Sequence, residues 1–175
     1  MTSDARPHPS ITPDVWLETQ CRLIQSAAKE LMQAVAEVNE RTAQAEEGQL
    51  GRRQRITEVH LRQAESAVRT LVEVQGAIQN ALFDCERDLR DLRERELSPA
   101  ELLVDGERLI LQYRFLRRRA RVLDGLLAYL PLVSASASHC AEHLRLLKGG
   151  GEMSGRFRVP DCGFAQAALE DLQES

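Results

Sequence analysis

The chain has few aromatic residues and almost no lysine. One Trp, two Tyr and four Phe are spread over 175 residues, and a β-sandwich or barrel, whose core needs aromatic and β-branched side chains, is therefore excluded. Of the 23 basic residues only Lys29 and Lys148 are lysine. Ala, Glu, Lys, Leu and Arg make up about half of the chain, which is the composition of long helices and coiled coils.

Long apolar runs and targeting signals are missing. No uninterrupted run of about 18 apolar residues occurs, so the sequence predicts no membrane span. Residues 1–12 form a polar, proline-containing leader without the apolar core of a secretory signal. We therefore expect an intracellular protein, either cytoplasmic or nuclear.

Motifs of catalysis and of cofactor or metal binding are also missing. His139 and His143 lie four residues apart and could share a metal, but the sequence offers no third ligand at a recognisable spacing. Residues 149–151 are glycines with neither the strand nor the following lysine of a phosphate loop. The cysteines are far apart and without a CxxC pair, which indicates structural thiols: Cys21, Cys85, Cys140 and Cys162. We predict a non-enzymatic protein with no cofactor and no metal.

Three long segments carry residues of an apolar face at alternating steps of three and four, the repeat that keeps one helix face against a partner helix. The first seam is Leu17, Cys21, Ile24, Ala28, Leu31, Val35, Val38, Thr42 and Ala45. The second is Leu61, Ala64, Val68, Leu71, Gln75, Ile78, Leu82, Cys85, Leu89 and Leu92, in which the polar Gln75 could fix the register. The third is Leu102, Gly106, Leu109, Tyr113, Leu116, Ala120, Leu123, Leu127 and Leu130.

Capping residues predict where the helices begin and end. Thr12 and Pro13 open the first helix, with Asp14 in its first turn, and Gly48 and Gly51 end it. The second helix is predicted over about 52–97. A capping box, Ser98, Pro99, Ala100 and Glu101, starts the third. Pro131 kinks or breaks that helix, and the seam resumes at Val133 one residue early.

The predicted fold is an all-α, elongated antiparallel bundle or coiled coil of three long helices, the third kinked at Pro131, plus a short C-terminal helix. In domain terms, residues 1–12 are a leader, 13–148 the bundle, 149–160 a flexible tether and 161–175 a docking helix. The docking helix carries Phe164, Ala168 and Leu172 on one face and is too short to be stable without a partner surface.

Helix 3 carries a second apolar row about 140° round from its seam. A helix in a three-helix bundle needs one broad apolar face, so we expect another chain to cover the second row, with the chain's own tail or the segment after Pro131 as the alternative. The predicted partner-binding residues are Val104, Leu111, Phe115, Val122 and Leu126, together with Phe164, Ala168 and Leu172 of the docking helix.

Charge is distributed unevenly along the chain. Residues 13–47 have a net charge of −4, residues 99–130 of +2, and residues 149–175 of −3. On helix 3, four arginines share a face and form a candidate anion-binding cluster: Arg114, Arg117, Arg118 and Arg121. The alternative is a solvated face, or one paired with acidic helix 1. Nucleic acid or another acidic polymer is the less favoured ligand because the chain as a whole is acidic and offers few aromatic side chains beside these arginines for base stacking.

The sequence therefore predicts a structural or adaptor subunit of a multi-protein assembly, which binds partner helices as a hetero-oligomer rather than as a homodimer. Two alternatives remain open: a helical chaperone that holds a client segment, and a filament- or nucleic-acid-binding module that uses the arginine cluster. Heptads, a capped hinge and a tethered terminal helix give an architecture similar to that of small coiled-coil subunits of Mediator, kinetochore, augmin and tethering complexes. This resemblance implies no particular site residues.

Overall fold

The fold is all-α, as predicted. A computed structural model describes residues 14–44 and 50–149, together with Ala167 and Glu170. It contains three helices, α1 (Val15–Gln44), α2 (Leu50–Glu94) and α3 (Pro99–Lys148). The predicted leader, all but the first residue of the tether, and Cys162, Phe164, Ala168 and Leu172 lie outside the described residues. Within the range of the predicted docking helix, the described residues Ala167 and Glu170 are helical.

Helix α2 lies antiparallel to both of the other helices. Its early residue His60 places Nε2 2.8 Å from Oε2 of Glu37, near the end of α1. Its early residue Glu65 accepts a hydrogen bond from Nη2 of Arg145, near the end of α3, at 2.8 Å. Because the start of α2 meets the ends of both neighbours, the chain reverses direction twice and α2 is the central helix.

The seam of α1 is buried wherever its side chains are described. Seven of its nine predicted residues, from Leu17 to Val38, are in the core, and Ala27 and Ala34 broaden the buried face. A face widened in this way suits a helix that packs into a bundle rather than against a single partner helix. The side chain of Thr42 and the whole of Ala45 lie outside the described residues.

The buried face of α2 is wider than the predicted seam, because this helix packs between two others. Leu71 and Ile78 are fully buried as expected, whereas Gln75 is only partly buried. A second line of buried residues runs beside the seam and shares three of its members: His60, Ala64, Ala67, Leu71, Val74 and Ile78. The buried polar residue of the described core is therefore His60, which sequence reasoning missed, and not Gln75.

Helix α3 continues through Pro131 to Lys148 without a break. The sequence placed Leu127 in the seam and so predicted that the seam resumes one residue early after Pro131, which is wrong. Leu126 is the buried residue, and the spacing of buried residues then continues in steps of three and four through Leu130 and Val133. Pro131 is exposed. The carbonyl of Leu127, which the proline leaves without its usual helical partner, therefore lies on the solvent side, where water can satisfy it.

The boundary between α1 and α2 differs from the prediction. The first helix begins at Val15, and Asp14 is its N-cap, since Asp14 Oδ1 accepts a hydrogen bond from the amide of Leu17 at 3.1 Å. The predicted cap, Thr12 and Pro13, lies outside the described residues, as does Gly48. Gly51 lies inside α2, which begins at Leu50 and ends at Glu94 rather than near 97.

The predicted capping box starts α3. The amide of Ser98 donates to Glu101 Oε2 at 2.9 Å, and the amide of Glu101 donates to Ser98 Oγ at 3.3 Å. The hydrogen bond from the backbone amide of Ser98 is the main cause that lowers the pKa of Glu101. Helix α3 therefore begins at Pro99, immediately after the connection formed by residues 95–98.

Helix α3 also meets the length and composition of a membrane-crossing helix, over Pro99–Leu146. The core helix of a helical bundle meets the same criterion, and Leu123, Leu126 and Leu130 are fully buried among this chain's own helices.

Candidate partner-binding surface and arginine groove

The end of the α2–α3 hairpin extends beyond the start of α1. Arg119 Nε of α3 lies 2.9 Å from Asp14 Oδ2, and its guanidinium stacks over the ring of Trp16 at 5.3 Å from the centroid. These contacts place the start of α1 level with Arg119, whereas α3 begins twenty residues earlier, at Pro99. At 1.5 Å per residue, about 30 Å of α3 precedes the level of α1.

The second apolar row of α3 is divided at this level. Leu126 and Val122 are 1% and 8% exposed, so they are core residues of this chain and are not available to a partner; their predicted partner-binding role is wrong. Val104, Leu111 and Phe115 are 83%, 40% and 39% exposed. We call these three residues the apolar row.

Further apolar side chains are exposed on the same four turns. Leu103 is 89% exposed, and Leu102 and Ile110 are more than half exposed. These residues point in several directions around the helix axis, at 100° per residue. Apolar side chains on several sides of a helix are normally covered by other elements, and the described part of the chain leaves many of these in solvent.

Beside the apolar row, the hairpin forms a groove of about 580 Å³. Its floor includes Leu92 and Leu97 from the α2 side and Leu102 and Leu109 of α3. Six arginines line it, and no acidic residue does so among the described residues: Arg93, Arg95, Arg114, Arg117, Arg118 and Arg121. We call this site the arginine groove.

Tyr113 lies between two of these arginines. Nη2 of Arg93 donates a hydrogen bond to the Tyr113 hydroxyl at 3.1 Å, and the guanidinium carbons of Arg93 and Arg117 lie 5.8 and 5.9 Å from the ring centroid. The hydrogen bond from Arg93, followed by the charges of the two arginines, lowers the pKa of Tyr113. The shift indicates a locally positive electrostatic potential.

The predicted anion-binding cluster is therefore brought together in one groove. Among the described residues, none of the six groove arginines forms an ion pair within 4.0 Å of a carboxylate. Arg119, which the sequence reasoning did not include, is the arginine that pairs with acidic α1. The alternative of a cluster neutralised by helix 1 is not supported, because α1 does not extend alongside most of the groove.

The cysteines and histidines form no site in the described residues. Cys21, Cys85 and Cys140 are buried free thiols, and burial raises the pKa of Cys21 to about 11. Burial is also the main cause of the raised pKa of Cys85, whose Sγ donates to the carbonyl of Leu116 at 3.1 Å. His139 and His143 have ring centroids 5.8 Å apart, and no group of three metal-ligating side chains occurs in the described ranges.

Sequence reasoning missed the anchor between α1 and α3. The carboxylate of Asp14 both caps α1 and lies against Arg119, and Trp16 covers that guanidinium. The sequence pattern assigns Asp14 to a helical first turn and gives Trp16 no role. A single Trp two residues after a capping Asp at a helix start is the signal in the sequence that could have indicated this contact. The partner residue, Arg119, is identified only by the tertiary structure.

Comparison of the chain with protein-family models, curated proteins and solved structures gives no match. The two surfaces at the end of the hairpin are therefore the features from which a function can be inferred.

Proposed function

We propose that this protein is a non-enzymatic structural or adaptor subunit of an intracellular multi-protein assembly. It binds helices of other subunits, in a coiled-coil-like manner, through the apolar row at the start of α3. The observation that carries this proposal is the exposure of Val104, Leu111 and Phe115 on a helix whose later turns bury the same face.

The free energy that would be gained by burying this exposed apolar face supports the proposal of a partner. Fully burying one apolar side chain of this size contributes about 1.5–3 kcal/mol. Because Leu111 and Phe115 are already more than half covered, burying what remains exposed of the row and Leu103 contributes about 4–8 kcal/mol. Association costs about 4–15 kcal/mol in lost freedom of motion. The apolar row therefore acts as part of a larger interface, as expected for a subunit held by long helices rather than by a short peptide.

The association state of the purified chain distinguishes an obligate subunit from a client-binding chaperone. An obligate subunit purified without its partners self-associates through the apolar row, whereas a chaperone is a soluble monomer or dimer of defined mass. We favour the subunit because the four exposed turns are apolar on several sides, and a single client segment would leave part of that surface in water.

Affinity purification from cells that naturally express the protein tests the proposal. The row variant, Val104→Glu, Leu111→Glu and Phe115→Glu, should lose at least about tenfold in recovery of stoichiometric partners, since three charges would have to be buried at the interface. The matched control places three glutamates at scattered exposed apolar positions, Val59, Val72 and Leu146, which are 57%, 56% and 60% exposed. The control should recover partners as the natural chain does.

Equal recovery with the row variant, the control and the natural chain would contradict the proposal. Equal loss in both variants would contradict it as well, because binding would then follow net charge rather than the position of the row.

A further inference from the structure

We propose that the arginine groove binds the acidic C-terminal segment, residues 161–175, of a second copy of this chain. This inference does not rest on the proposed function, because none of the three residues of the apolar row lines the groove. It assigns an occupant to the six groove arginines, none of which forms an ion pair within 4.0 Å among the described residues.

The groove has the chemistry of a receptor for an acidic amphipathic helix. Its apolar floor lies between α2 and α3, and six guanidinium groups surround it without an ion pair among the described residues. Like charges gathered in this way repel one another, and carboxylates hydrogen-bond to guanidinium groups with favourable geometry. An occupant therefore needs one apolar face and acidic residues beside it.

Residues 161–175 have that composition. The segment contains four acidic residues and no basic residue: Asp161, Glu170, Asp171 and Glu174. Phe164, Ala168 and Leu172 recur at steps of four, which gives a helix one apolar face, and the described residues of this segment, Ala167 and Glu170, are helical. Fifteen helical residues span about 22 Å, and the groove residues of α3, 102–121, span about 29 Å.

The geometry of the tether favours a second copy over the same chain. Arg121, the groove residue nearest the C-terminus, precedes the end of α3 at Lys148 by 27 residues, or about 40 Å of helix. Residues 149–160 reach about 42 Å only when fully extended, whereas a flexible chain of that length has a root-mean-square span of about 19 Å. Binding within one chain would require a taut connection, and binding between two copies would not.

A concave groove fits a helix better than it fits the alternative anions. A membrane surface would contact arginines arranged on one flat face, whereas these lie on the two sides of an apolar floor formed by two helices and their connection. Single-stranded nucleic acid stacks its bases on several aromatic rings, and Tyr113 is the aromatic residue that lines this groove. Both alternatives are tested below.

Sedimentation equilibrium of the full chain tests the proposal. The groove variant carries Arg114→Glu, Arg117→Glu and Arg118→Glu, and the tail variant carries Glu170→Lys, Asp171→Lys and Glu174→Lys. Each should weaken self-association at least about 100-fold, which corresponds to the loss of several charge-assisted contacts. An equimolar mixture of the two variants should associate again, because the glutamates of one would face the lysines of the other.

A control separates specific recognition from net charge. Arg22→Glu, Arg62→Glu and Arg69→Glu change the net charge by the same amount as the groove variant, at exposed positions that do not line the groove. This control should self-associate as the natural chain does, and mixing it with the tail variant should not exceed the association of the control by itself. Each experiment is repeated in the background of the row variant, so that association through the apolar row does not contribute.

Three results would overturn the inference. The first is a natural chain that stays monomeric at all concentrations in low salt. The second is a mixture of groove and tail variants that fails to associate. The third is a tail variant that associates normally while the groove variant loses binding either to phosphatidylserine-containing vesicles or to a single-stranded oligonucleotide, in which case the groove serves a membrane or a nucleic acid.

Discussion

Leu126→Glu should unfold the bundle under conditions in which the natural chain is folded. Leu126 is 1% exposed and belongs to the three-helix core, so the substitution removes a buried side chain and introduces a carboxyl group without a partner. Losses above about 4–5 kcal/mol are expected of such changes, against a total stability of about 5–15 kcal/mol. Urea unfolding followed by circular dichroism at 222 nm measures the loss.

A glutamate at an exposed position of the same helix, Val104→Glu, should change the free energy of unfolding by less than about 0.5 kcal/mol. Val104 is 83% exposed, and surface substitutions rarely exceed that magnitude. A loss of more than about 2 kcal/mol for Val104→Glu would contradict the account, because it would mean that residues of this chain cover the start of α3.

Leu71→Ala should destabilise the bundle by about 2–5 kcal/mol, the range for removing a buried leucine side chain. Leu71 is fully buried in the central helix and is shared by its two lines of core residues. The cavity would therefore adjoin the packing of α2 on both sides, and relaxation of one neighbouring helix would not fill it. Thermal or urea unfolding of the purified chain measures the effect.

The matched control for this prediction is Leu103→Ala, which removes the same atoms from a side chain that is 89% exposed. Its effect on the free energy of unfolding should stay within about 0.5 kcal/mol. If the two substitutions lower the free energy of unfolding by the same amount, either α2 is not the central helix or the start of α3 is packed within the chain.

The parts of the fold that depend on local sequence were predictable. The seam of α1 from Leu17 to Val38 is buried, because a seven-residue repeat specifies one face of a helix without reference to its neighbours. The start of α3 at the capping box was equally predictable, since Ser98 and Glu101 satisfy each other's backbone amides within one turn.

The parts that depend on how many neighbours a helix has were not predictable in the same way. Helix α2 packs between two helices, so its buried face includes His60, Ala67 and Val74 beside the seam. In α3 the choice between Leu126 and Leu127 depends on the direction of the other helices. The wrong choice created the apparent slip at Pro131, although the helix is continuous.

The candidate surfaces were predicted as residue sets but not as sites. The second apolar row of α3 is exposed only where α1 does not lie beside it. The contact of Asp14 with Arg119 marks where α1 begins beside α3, and these two residues are far apart in sequence. The four predicted arginines line one groove, but Arg93 and Arg95 join them because the α2–α3 hairpin folds back. Neither the level at which α1 begins nor the position of Arg93 and Arg95 can be read from the spacing of residues within one helix.

Hydrogen exchange measured by mass spectrometry tests most directly whether the start of α3 is a partner-binding surface. In the isolated chain, amides of residues 102–115 should exchange at least about tenfold faster than those of 123–144, because few tertiary contacts support the first turns. In the purified assembly, protection of 102–115 should rise at least about tenfold, with little change in 123–144. Equal protection of both ranges in the isolated chain, or unchanged exchange of 102–115 in the assembly, would contradict the account.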